Sequence, residues 1–334
     1  MTNSTIKEIA QAAKVSIATV SLALNNKKGV SVAKAAEIKQ LAYEMGYFKA
    51  NRNSYVDKTI LFVQIVKDHQ IMDQNYRIFI ADYMEGLSSI ASYYYLRIES
   101  KIYTKNTMEE ILEDLDSLDV FGIVFLGAGL YPEDITILNR CCIPSVFIDV
   151  HYAGIHADFI DMDNADCVYQ IVSYLESKNY QRVGFVQALE RTPNFHYREN
   201  AFFEALKESS LECPPSCRYA IAPDSTGVKQ FIEQYSKSQE KPQAIFCTND
   251  MIAYQCIQAC YDMGIVMPSS LGIVGFDDLP TSSILQPELT TINISKKEIV
   301  RIALRKLLDK TDPTNQGITS TILIDGSLVV RRSC

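Results

Sequence analysis

The stretch TIKEIAQAAKVSIATVSLALN, residues 5–25, decides the fold of the amino-terminal part of this chain. Thr5 and Glu8 form a capping-box pattern, which predicts the start of a helix. Lys14-Val15-Ser16 predicts a tight turn, after which Ser16 caps a second helix. The first helix has apolar residues at helical spacing: Ile6, Ile9, Ala10 and Ala13. Two short helices joined in this way are typical of proteins that place the second helix in the major groove of DNA.

The second helix has two different faces. One face is expected to pack inside the domain and contains Val20, Ala23 and Leu24. The other is free to read DNA and contains Ile17, Ala18, Ser21, Leu22 and Asn25. The alternative, an amphipathic helical hairpin with no ligand, remains open on the pattern alone.

The distribution of charge favours the DNA-binding interpretation. Residues 1–59 contain nine Lys and Arg against four acidic residues, which gives this segment a net charge of +5. The rest of the chain has 23 basic and 36 acidic residues, a net charge of −13. A basic segment joined to an acidic body is expected of a nucleic-acid-binding module attached to a domain with another task.

The remaining sequence predicts the domain organisation. Residues 31–45 form a third amphipathic helix stopped by Gly46, which completes a three-helix head over residues 1–47. Residues 48–59 are polar and basic and are expected to be a linker. From Ile60 onward, short apolar runs alternate with amphipathic helices, which predicts an α/β body. The pattern repeats in two blocks, so we expect two lobes, each a doubly wound parallel sheet.

Several classes of protein are disfavoured. No apolar run approaches a membrane span, and MTNSTIKEIA does not resemble a secretory signal, so we expect a cytoplasmic protein that does not contact the membrane. The nine cysteines and four histidines are dispersed, without CxxC or HExxH spacing. The sequence therefore predicts reduced thiols, no metal, no cofactor and no enzyme active site.

Polar residues that follow the apolar runs indicate a binding site. Ligands of such sheets bind outside the carboxyl ends of the strands. There the sequence places Asp149, Asn249, Asp277 and, at the start of a helix after RVGFVQA, Arg198. Carboxylates, an amide and a guanidinium suit a polyhydroxylated ligand, so a sugar is the expected class. The structural alternative is that an Asp or Asn only caps the next helix. Phe79, Phe195 and Phe276 are candidates for an apolar wall, or for core packing.

These residues resemble the lac repressor family of bacterial transcription regulators, the LacI/GalR type, over nearly the whole chain. The resemblance is carried by IKEIAQAAKVSIATVSLALN and then, in order, by FGIVFLG, IPSVFID, YQRVGFV, Arg198, AIFCTND, GIVMPSSLGIVGFDD and LTTI. It implies a homodimer on a two-fold symmetric double-stranded operator. It also implies a periplasmic-binding-protein-like core whose effector contacts match Asp149, Arg198, Asn249 and Asp277. The implied lobes are residues 60–163 with 293–320, and residues 164–292 with 321–334.

The effector class is less closely defined by the resemblance. The segment from Asp149 to Phe202 looks most like the galactose and galactoside repressors. A purine-type corepressor would require only a few changed residues in the cleft. An alternative of another class is a cytoplasmic sugar-binding protein or sugar-handling enzyme on the same body. Turnover of a bound sugar would distinguish the enzyme.

The head departs from the family pattern in three ways. Ile17, Ala18 and Leu22 cannot read guanine by paired hydrogen bonds, so we expect them to contact thymine methyl groups. Lys14 stands where the family has a turn glycine. The linker is short and lacks the family's minor-groove leucine, for which Tyr55 or Val56 is the candidate substitute, unless the hinge helix is absent. The other predicted DNA contacts, mainly to phosphate, are Thr5, Ser16, Thr19, Ser21 and Asn25.

Overall fold

The structure is a computed structural model that describes residues 5–24, 29–45, 55–67, 74–189, 191–310 and 317–334. Predictions for Asn25, for the helix stop at Gly46 and for linker residues 48–54 therefore lie outside the described residues. The chain divides into two compact units, Met1–Thr59 with Ser89–Arg97, and Ile60–Ser88 with Ile98–Cys334. The predicted boundary near residue 59 agrees with this division, but the inclusion of Ser89–Arg97 was not predicted.

The head consists of three helices: α1 (Ile6–Ala12), α2 (Ile17–Leu24) and α3 (Val32–Glu44). The Thr5–Glu8 capping box is present at the start of α1. Ser16 caps α2, since its Oγ accepts a hydrogen bond of 3.0 Å from the Thr19 backbone N–H. The core of the head is formed by seven buried residues: Ile9, Ala10, Ala13, Val20, Ala23, Ile38 and Ala42. The first five had been placed on the inner faces of the first two helices by their helical spacing, and the last two belong to α3.

Lys14 adopts a left-handed backbone with φ of 53°, the conformation for which the family glycine is suited. We expect Lys14→Gly to stabilise the head by about 1 kcal/mol, because glycine lacks the Cβ that is crowded in this region. Hydrogen exchange of the α1 amides in the full chain measures this local stability. As a control, Lys7→Gly inside α1 should instead destabilise the head by about 1 kcal/mol. Destabilisation by both variants would contradict the interpretation.

The first lobe is built on a six-stranded sheet. Its strands are β1 (Thr59–Val66), β2 (Arg97–Thr104), β3 (Gly122–Leu126), β4 (Ser145–Ile148), β5 (Phe159–Met162) and β11 (Thr321–Ile324), in the spatial order β11-β5-β4-β3-β1-β2. Its helices are α4 (Gln74–Tyr93), α5 (Met108–Asp116), α6 (Pro132–Leu138) and α11 (Lys296–Asp309). The central strands are apolar and buried, as expected for parallel strands covered on both faces.

The register of the first sheet aligns a row of aromatic rings. Phe125 pairs with Phe147, and Phe147 pairs with Phe159, across β3, β4 and β5. The ring centroids lie 4.9 Å and 5.8 Å apart in the two contacts. The same register pairs Ile148 with Ile160, so Asp149, which directly follows β4, and Asp161, which lies inside β5, come one residue after this pair.

The second lobe is built on a four-stranded parallel sheet. Its strands are β6 (Val183–Ala188), β7 (Arg218–Ile221), β8 (Ala244–Cys247) and β9 (Gly272–Val274), in the order β7-β6-β8-β9. Its helices are α7 (Asn164–Ser177), α8 (Pro193–Lys207), α9 (Ser225–Lys237) and α10 (Asp250–Met263), with short 3-10 turns at Pro215–Cys217 and Pro280–Ser283. The two parallel sheets confirm the predicted α/β class.

The structure corrects the predicted boundary at residue 321, where the chain passes between the lobes for the last time. Strands β10 (Thr291–Asn293) and β12 (Ser327–Val329) form a separate antiparallel pair. Residues 321–334 were assigned to the second lobe, but Thr321–Ile324 is β11 and pairs with β5 of the first lobe. The chain then returns to the second lobe, where the Ile273 backbone N–H donates to the Ser333 carbonyl. Six of the described strands escaped the sequence analysis because none forms a long apolar run: β2, β5, β7, β10, β11 and β12.

Candidate functional site

The second helix of the head presents a partly apolar outer face. Ile17, the first residue of α2, is 52% exposed, and Ala18 is also exposed. Thr19, Ser21 and Leu22 are half-buried. Leu22 lies close to Gly29, because a Cβ added to that glycine would be 3.3 Å from Leu22 Cδ1. Thr5 and Ser16 already serve as helix caps, so their hydroxyl groups have a structural role besides the predicted phosphate contact.

The described part of the linker begins at Tyr55. Residues 55–57 form a bend and a turn, with Tyr55 half-buried and Val56 exposed. Backbone hydrogen bonds join Asp57 N–H to the Tyr95 carbonyl at 3.3 Å and Arg97 N–H to the Lys58 carbonyl at 2.9 Å. These bonds fix the end of the linker at the start of β1.

Asp149 directly follows β4 and is buried, with 3% of its surface exposed. Its backbone is left-handed with φ of 62°, an uncommon conformation for a non-glycine residue that is often found at functional sites. Two neutral groups donate to its Oδ1, the Tyr83 hydroxyl at 3.3 Å and Asn194 Nδ2 at 3.1 Å. Burial, and next the carboxyl group of Asp161, raise the pKa of Asp149 well above its ordinary value.

Arg198 is the most extensively bonded side chain of the site and is 2% exposed. It lies in the second turn of α8, not at its start as predicted, because the helix already begins at Pro193. Its Nη1 donates to the Thr248 carbonyl at 2.6 Å, and its Nη2 lies 3.4 Å from Asp277 Oδ1. The guanidinium carbon lies 3.6 Å from the centre of the buried Phe276 ring, so Phe276 supports Arg198.

Two asparagines that the sequence analysis missed connect these residues. Asn194 Nδ2 donates to Asp149 at the end of the first lobe's β4, and Asn194 Oδ1 accepts from Asn164 Nδ2 at 2.9 Å. Asn164 Oδ1 in turn accepts from Arg198 Nε at 2.9 Å. A buried chain of hydrogen bonds therefore crosses from the first lobe to the second through Asp149, Asn194, Asn164, Arg198 and Asp277.

Asn249 and Asp250 follow β8 and behave differently from each other. Asn249 is half-buried, and its Oδ1 caps α10 by accepting a hydrogen bond of 3.0 Å from the Ile252 backbone N–H. Helix capping was the alternative to ligand binding that the sequence analysis gave for this residue. Asp250 is fully buried and accepts from the Ser282 hydroxyl and from two further donors, the Leu279 N–H and the Thr291 hydroxyl. Burial raises the pKa of Asp250 to about 7. Asp250 thus ties β8 to the loop after β9.

Asp277 and Asp278 both follow β9 with positive φ angles of 112° and 49°. Asp277 is buried beside Arg198, whereas Asp278 pairs with Arg331 at 2.7 Å. The two carboxyl groups therefore have different partners, as expected when neighbouring side chains point to different sides. Burial raises the pKa of Asp277, and Arg198 and Lys296 oppose that shift.

Aromatic side chains lie around the polar cluster. Phe79 is half-buried and meets the Tyr83 ring edge-on, with centroids 5.4 Å apart. Phe195 is half-buried, and its ring centre lies 5.7 Å from the Arg198 guanidinium carbon. Five of the six predicted effector residues therefore lie in or beside one cluster where the two lobes meet: Phe79 and Asp149 contact Tyr83, and Phe195 and Asp277 contact Arg198. The Asn249 side chain instead caps α10.

A histidine and a tyrosine add a further contact between the lobes. The His151 ring, on the loop after β4, stacks on the Tyr197 ring of α8 at a centroid distance of 4.5 Å. The Tyr197 hydroxyl donates to the His151 carbonyl at 2.6 Å, and His151 Nδ1 lies 2.8 Å from the buried Asp161 carboxyl. A polar, hydroxyl-bearing ligand would meet carboxyl, amide and aromatic groups here, which are the groups that sugar sites use.

The described part of the chain contains no group of three or more His, Cys, Asp or Glu side chains arranged to hold a metal ion. All nine cysteines are free thiols. Among the described residues, no helix is both long and apolar enough to cross a lipid bilayer.

Comparison with known sequences identifies both parts of the chain. Residues 5–49 match the family described as bacterial regulatory proteins, lacI family, and residues 172–334 match a periplasmic binding protein-like domain. The chain is 29% identical over 339 residues to the HTH-type transcriptional repressor CytR of Escherichia coli K12, covering 99% of this chain and 96% of the relative. It is 26% identical over 311 residues to catabolite control protein A of Priestia megaterium, covering 91% and 92%.

Solved structures share the fold. The transcriptional regulator CelR–cellobiose complex matches with a TM-score of 0.71 at 19% identity, covering 99% of this chain and 100% of that one. The lac repressor dimer bound to operator and the anti-inducer ONPF matches with a TM-score of 0.69 at 18% identity, covering 99% of both chains. The helix-turn-helix head, the two-lobed body and the family matches agree: the chain is a lacI-family transcriptional regulator, in which a DNA-binding head precedes a periplasmic binding protein-like effector domain.

Proposed function

We propose that this protein is a repressor that acts as a cytoplasmic homodimer, that it has no enzymatic activity, and that a small sugar-like effector bound between its lobes releases it from the operator. The observation that carries the effector proposal is the buried hydrogen-bond chain from Asp149 to Asp277, which crosses between the lobes. The CelR–cellobiose complex, a relative in fold, supports a sugar as the class of effector.

The mechanism is a shift between two states of the body. A sugar hydroxyl group that donates to Asp149 and accepts from Arg198 would bind the closed arrangement of the lobes more tightly than an open one. If the closed arrangement holds the two heads of a dimer in a geometry that does not fit two adjacent half-sites, effector binding weakens operator binding. The coupling expected of such regulators is about 1–3 kcal/mol, or about 5–150-fold in operator affinity.

The direct test uses the full chain and an operator obtained by selection from random DNA. Neutral sugars, sugar phosphates and purines are screened by thermal shift, since a ligand of the folded state raises the melting temperature. We expect a sugar to raise the melting temperature and to weaken operator binding. A purine that strengthens operator binding would instead support the corepressor alternative, and turnover of a bound sugar would support an enzyme. The absence of any stabilising ligand would contradict effector control.

On the DNA side, we propose that the outer face of α2 reads thymine methyl groups while the net positive head binds phosphate. The predicted base contacts are Ile17, Ala18 and Leu22, and the predicted phosphate contacts are Thr5, Ser16, Thr19, Ser21 and Asn25. Apolar side chains provide no paired hydrogen bonds to guanine, so discrimination depends on the methyl group of thymine. Tyr55 or Val56 stays the proposed wedge in the minor groove.

Leu22→Ala should weaken binding to the selected operator by about fourfold. This corresponds to a loss of about 0.8 kcal/mol of binding free energy, the value for one methylene-sized apolar contact with the thymine methyl group. Replacing the contacted thymine by uracil, which lacks the methyl group, should weaken operator binding by the wild type by the same factor. It should not weaken operator binding by Leu22→Ala any further. Gel-shift titration measures both effects. Val20→Ala, which removes a buried core side chain, is the control for general damage to the head. Equal sensitivity of wild type and Leu22→Ala to uracil would show that Leu22 does not read DNA.

A further inference from the structure

The side of α8 that meets the first lobe carries a contact that the effector proposal does not use. Tyr197 and Arg198 follow Asn194 by three and four residues, a spacing that places all three on one side of a helix. Asn194 and Arg198 belong to the buried hydrogen-bond chain, and each is at most 5% exposed. Tyr197 lies outside that chain, is half-buried, and instead meets His151 on the loop after β4 of the first lobe.

Two interactions join Tyr197 to His151. The rings lie nearly parallel, with an interplanar angle of 10° and centroids 4.5 Å apart, and the Tyr197 hydroxyl donates to the His151 carbonyl at 2.6 Å. His151 is held from its own lobe, because its Nδ1 lies 2.8 Å from Oδ2 of Asp161, a fully buried residue of β5. The His151 ring is therefore oriented before Tyr197 packs on it, which lowers the entropic cost of the contact.

A second tyrosine joins the lobes from the neighbouring strand. Tyr131 lies on the loop after β3, the strand that pairs with β4, and its hydroxyl donates to the Arg191 carbonyl of the second lobe at 3.3 Å. The Lys67 ammonium lies 4.7 Å from the centre of the Tyr131 ring and supports it within the first lobe. The loops after two adjacent strands of the first lobe thus each meet the second lobe through a bond between a tyrosine hydroxyl and a backbone carbonyl.

Each of these contacts joins two protein groups, so each favours closure of the lobes with or without an effector. We propose that Tyr197 and His151 form a latch, supported by Tyr131, that keeps the closed arrangement substantially populated in the absence of effector. The latch then sets how much of the free energy of closure the effector has to supply. The effect of the latch on operator binding rests on the proposed function, in which the closed arrangement releases DNA, whereas its effect on closure does not.

Histidine NMR on the full chain tests the latch directly, because the sequence has only four histidines: His69, His151, His156 and His196. The signal of the His151 ring is assigned as the one that disappears in His151→Gln. In the wild type without effector, we expect this signal to be shifted upfield, since the ring is stacked on the Tyr197 ring. Tyr197→Phe keeps an aromatic ring but removes the bond to the His151 carbonyl, so the signal should move toward the position of an unstacked histidine.

Tyr174→Phe is the matched control. The Tyr174 hydroxyl also donates to a backbone carbonyl, that of Cys334 at 2.7 Å, but both residues belong to the second lobe. This variant should leave the His151 signal at its wild-type position. A His151 signal at the unstacked position in the wild type without effector, or no movement of the signal in Tyr197→Phe, would overturn the proposal. Equal movement in Tyr174→Phe would also overturn it, because the signal would then report a general disturbance of the lobe.

Binding measurements connect the latch to the operator. If effector and operator each bind one arrangement alone, Tyr197→Phe should weaken effector binding and tighten operator binding in the absence of effector. The two fold-changes multiplied together should equal the change in the closure equilibrium, about 2–10-fold for one hydrogen bond. Tighter effector binding or weaker operator binding by this variant would contradict the latch. If the His151 signal behaves as expected but no ligand alters operator binding, the latch stands and the proposed function fails.

Discussion

Asp149→Asn is expected to abolish the response of operator binding to the effector, while operator affinity without effector stays within about twofold of the wild type. Asn tolerates the left-handed backbone of this position, with φ of 62°, so the main chain should be preserved. The amide retains an oxygen for the Tyr83 and Asn194 donors but replaces the second acceptor oxygen with a donor. A ligand hydroxyl group that donates to Asp149 then loses its partner, and a donor faces it instead.

Gel-shift titration with and without the effector, together with calorimetry, measures this prediction. Asp278→Asn is a matched control, because Asp278 also has a positive φ angle, of 49°, but pairs with Arg331 outside the cluster. The control should respond to the effector as the wild type does. Loss of operator binding by Asp149→Asn in the absence of effector would show that Asp149 is structural. An unchanged response would remove Asp149 from the effector site.

Arg198→Met is expected to lower the free energy of unfolding of the body by about 3–5 kcal/mol, the usual effect of removing one partner from a buried charged network. The variant leaves Asp277 without its guanidinium partner, and it leaves the Thr248 carbonyl and Asn164 Oδ1 without their Arg198 donors. Effector affinity should fall by at least a hundredfold, equivalent to about 2.7 kcal/mol. Urea unfolding and calorimetry at a temperature where the variant is folded measure the two effects separately.

Arg191→Met provides the comparison for Arg198. Arg191 is exposed and pairs with Glu199 at 3.3 Å, so its loss should change stability by less than about 1 kcal/mol and leave effector affinity unchanged. If Arg198→Met is no less stable than Arg191→Met, the buried network does not support the body. If it is destabilised yet binds the effector normally, Arg198 has a structural role alone.

The head was the part of the structure most accessible to sequence reasoning. Its signals are local: a capping box at Thr5 and Glu8, helical spacing of Ile9 and Ala13, and a turn at Lys14. Lys14, which stands where the family has a glycine, adopts a left-handed conformation in the structure. Local signals of this kind depend on residues within one or two turns of each other, and each can be recognised without knowledge of the rest of the chain.

The body was predicted less completely. Long apolar runs identified β1, β3, β4, β6, β8 and β9, because strands buried on both faces require such runs. Edge and short strands carry no comparable signal. Strand β11, Thr321–Ile324, alternates exposed and half-buried residues and was placed in the wrong lobe, since its pairing with β5 joins residues far apart in the chain. Pairing over that distance is a property of the folded chain.

The site divides in the same way. The sequence by itself determined which residue types end the strands, because strand ends follow from apolar runs, and it therefore identified Asp149, Asn249 and Asp277 as candidates. Only the tertiary structure decided that Asn194 and Asn164 connect Asp149 to Arg198, and that Asp277 is buried beside Arg198. The physical reason is that burial and hydrogen-bond partners are set by elements distant in sequence, which meet only when the two lobes pack together.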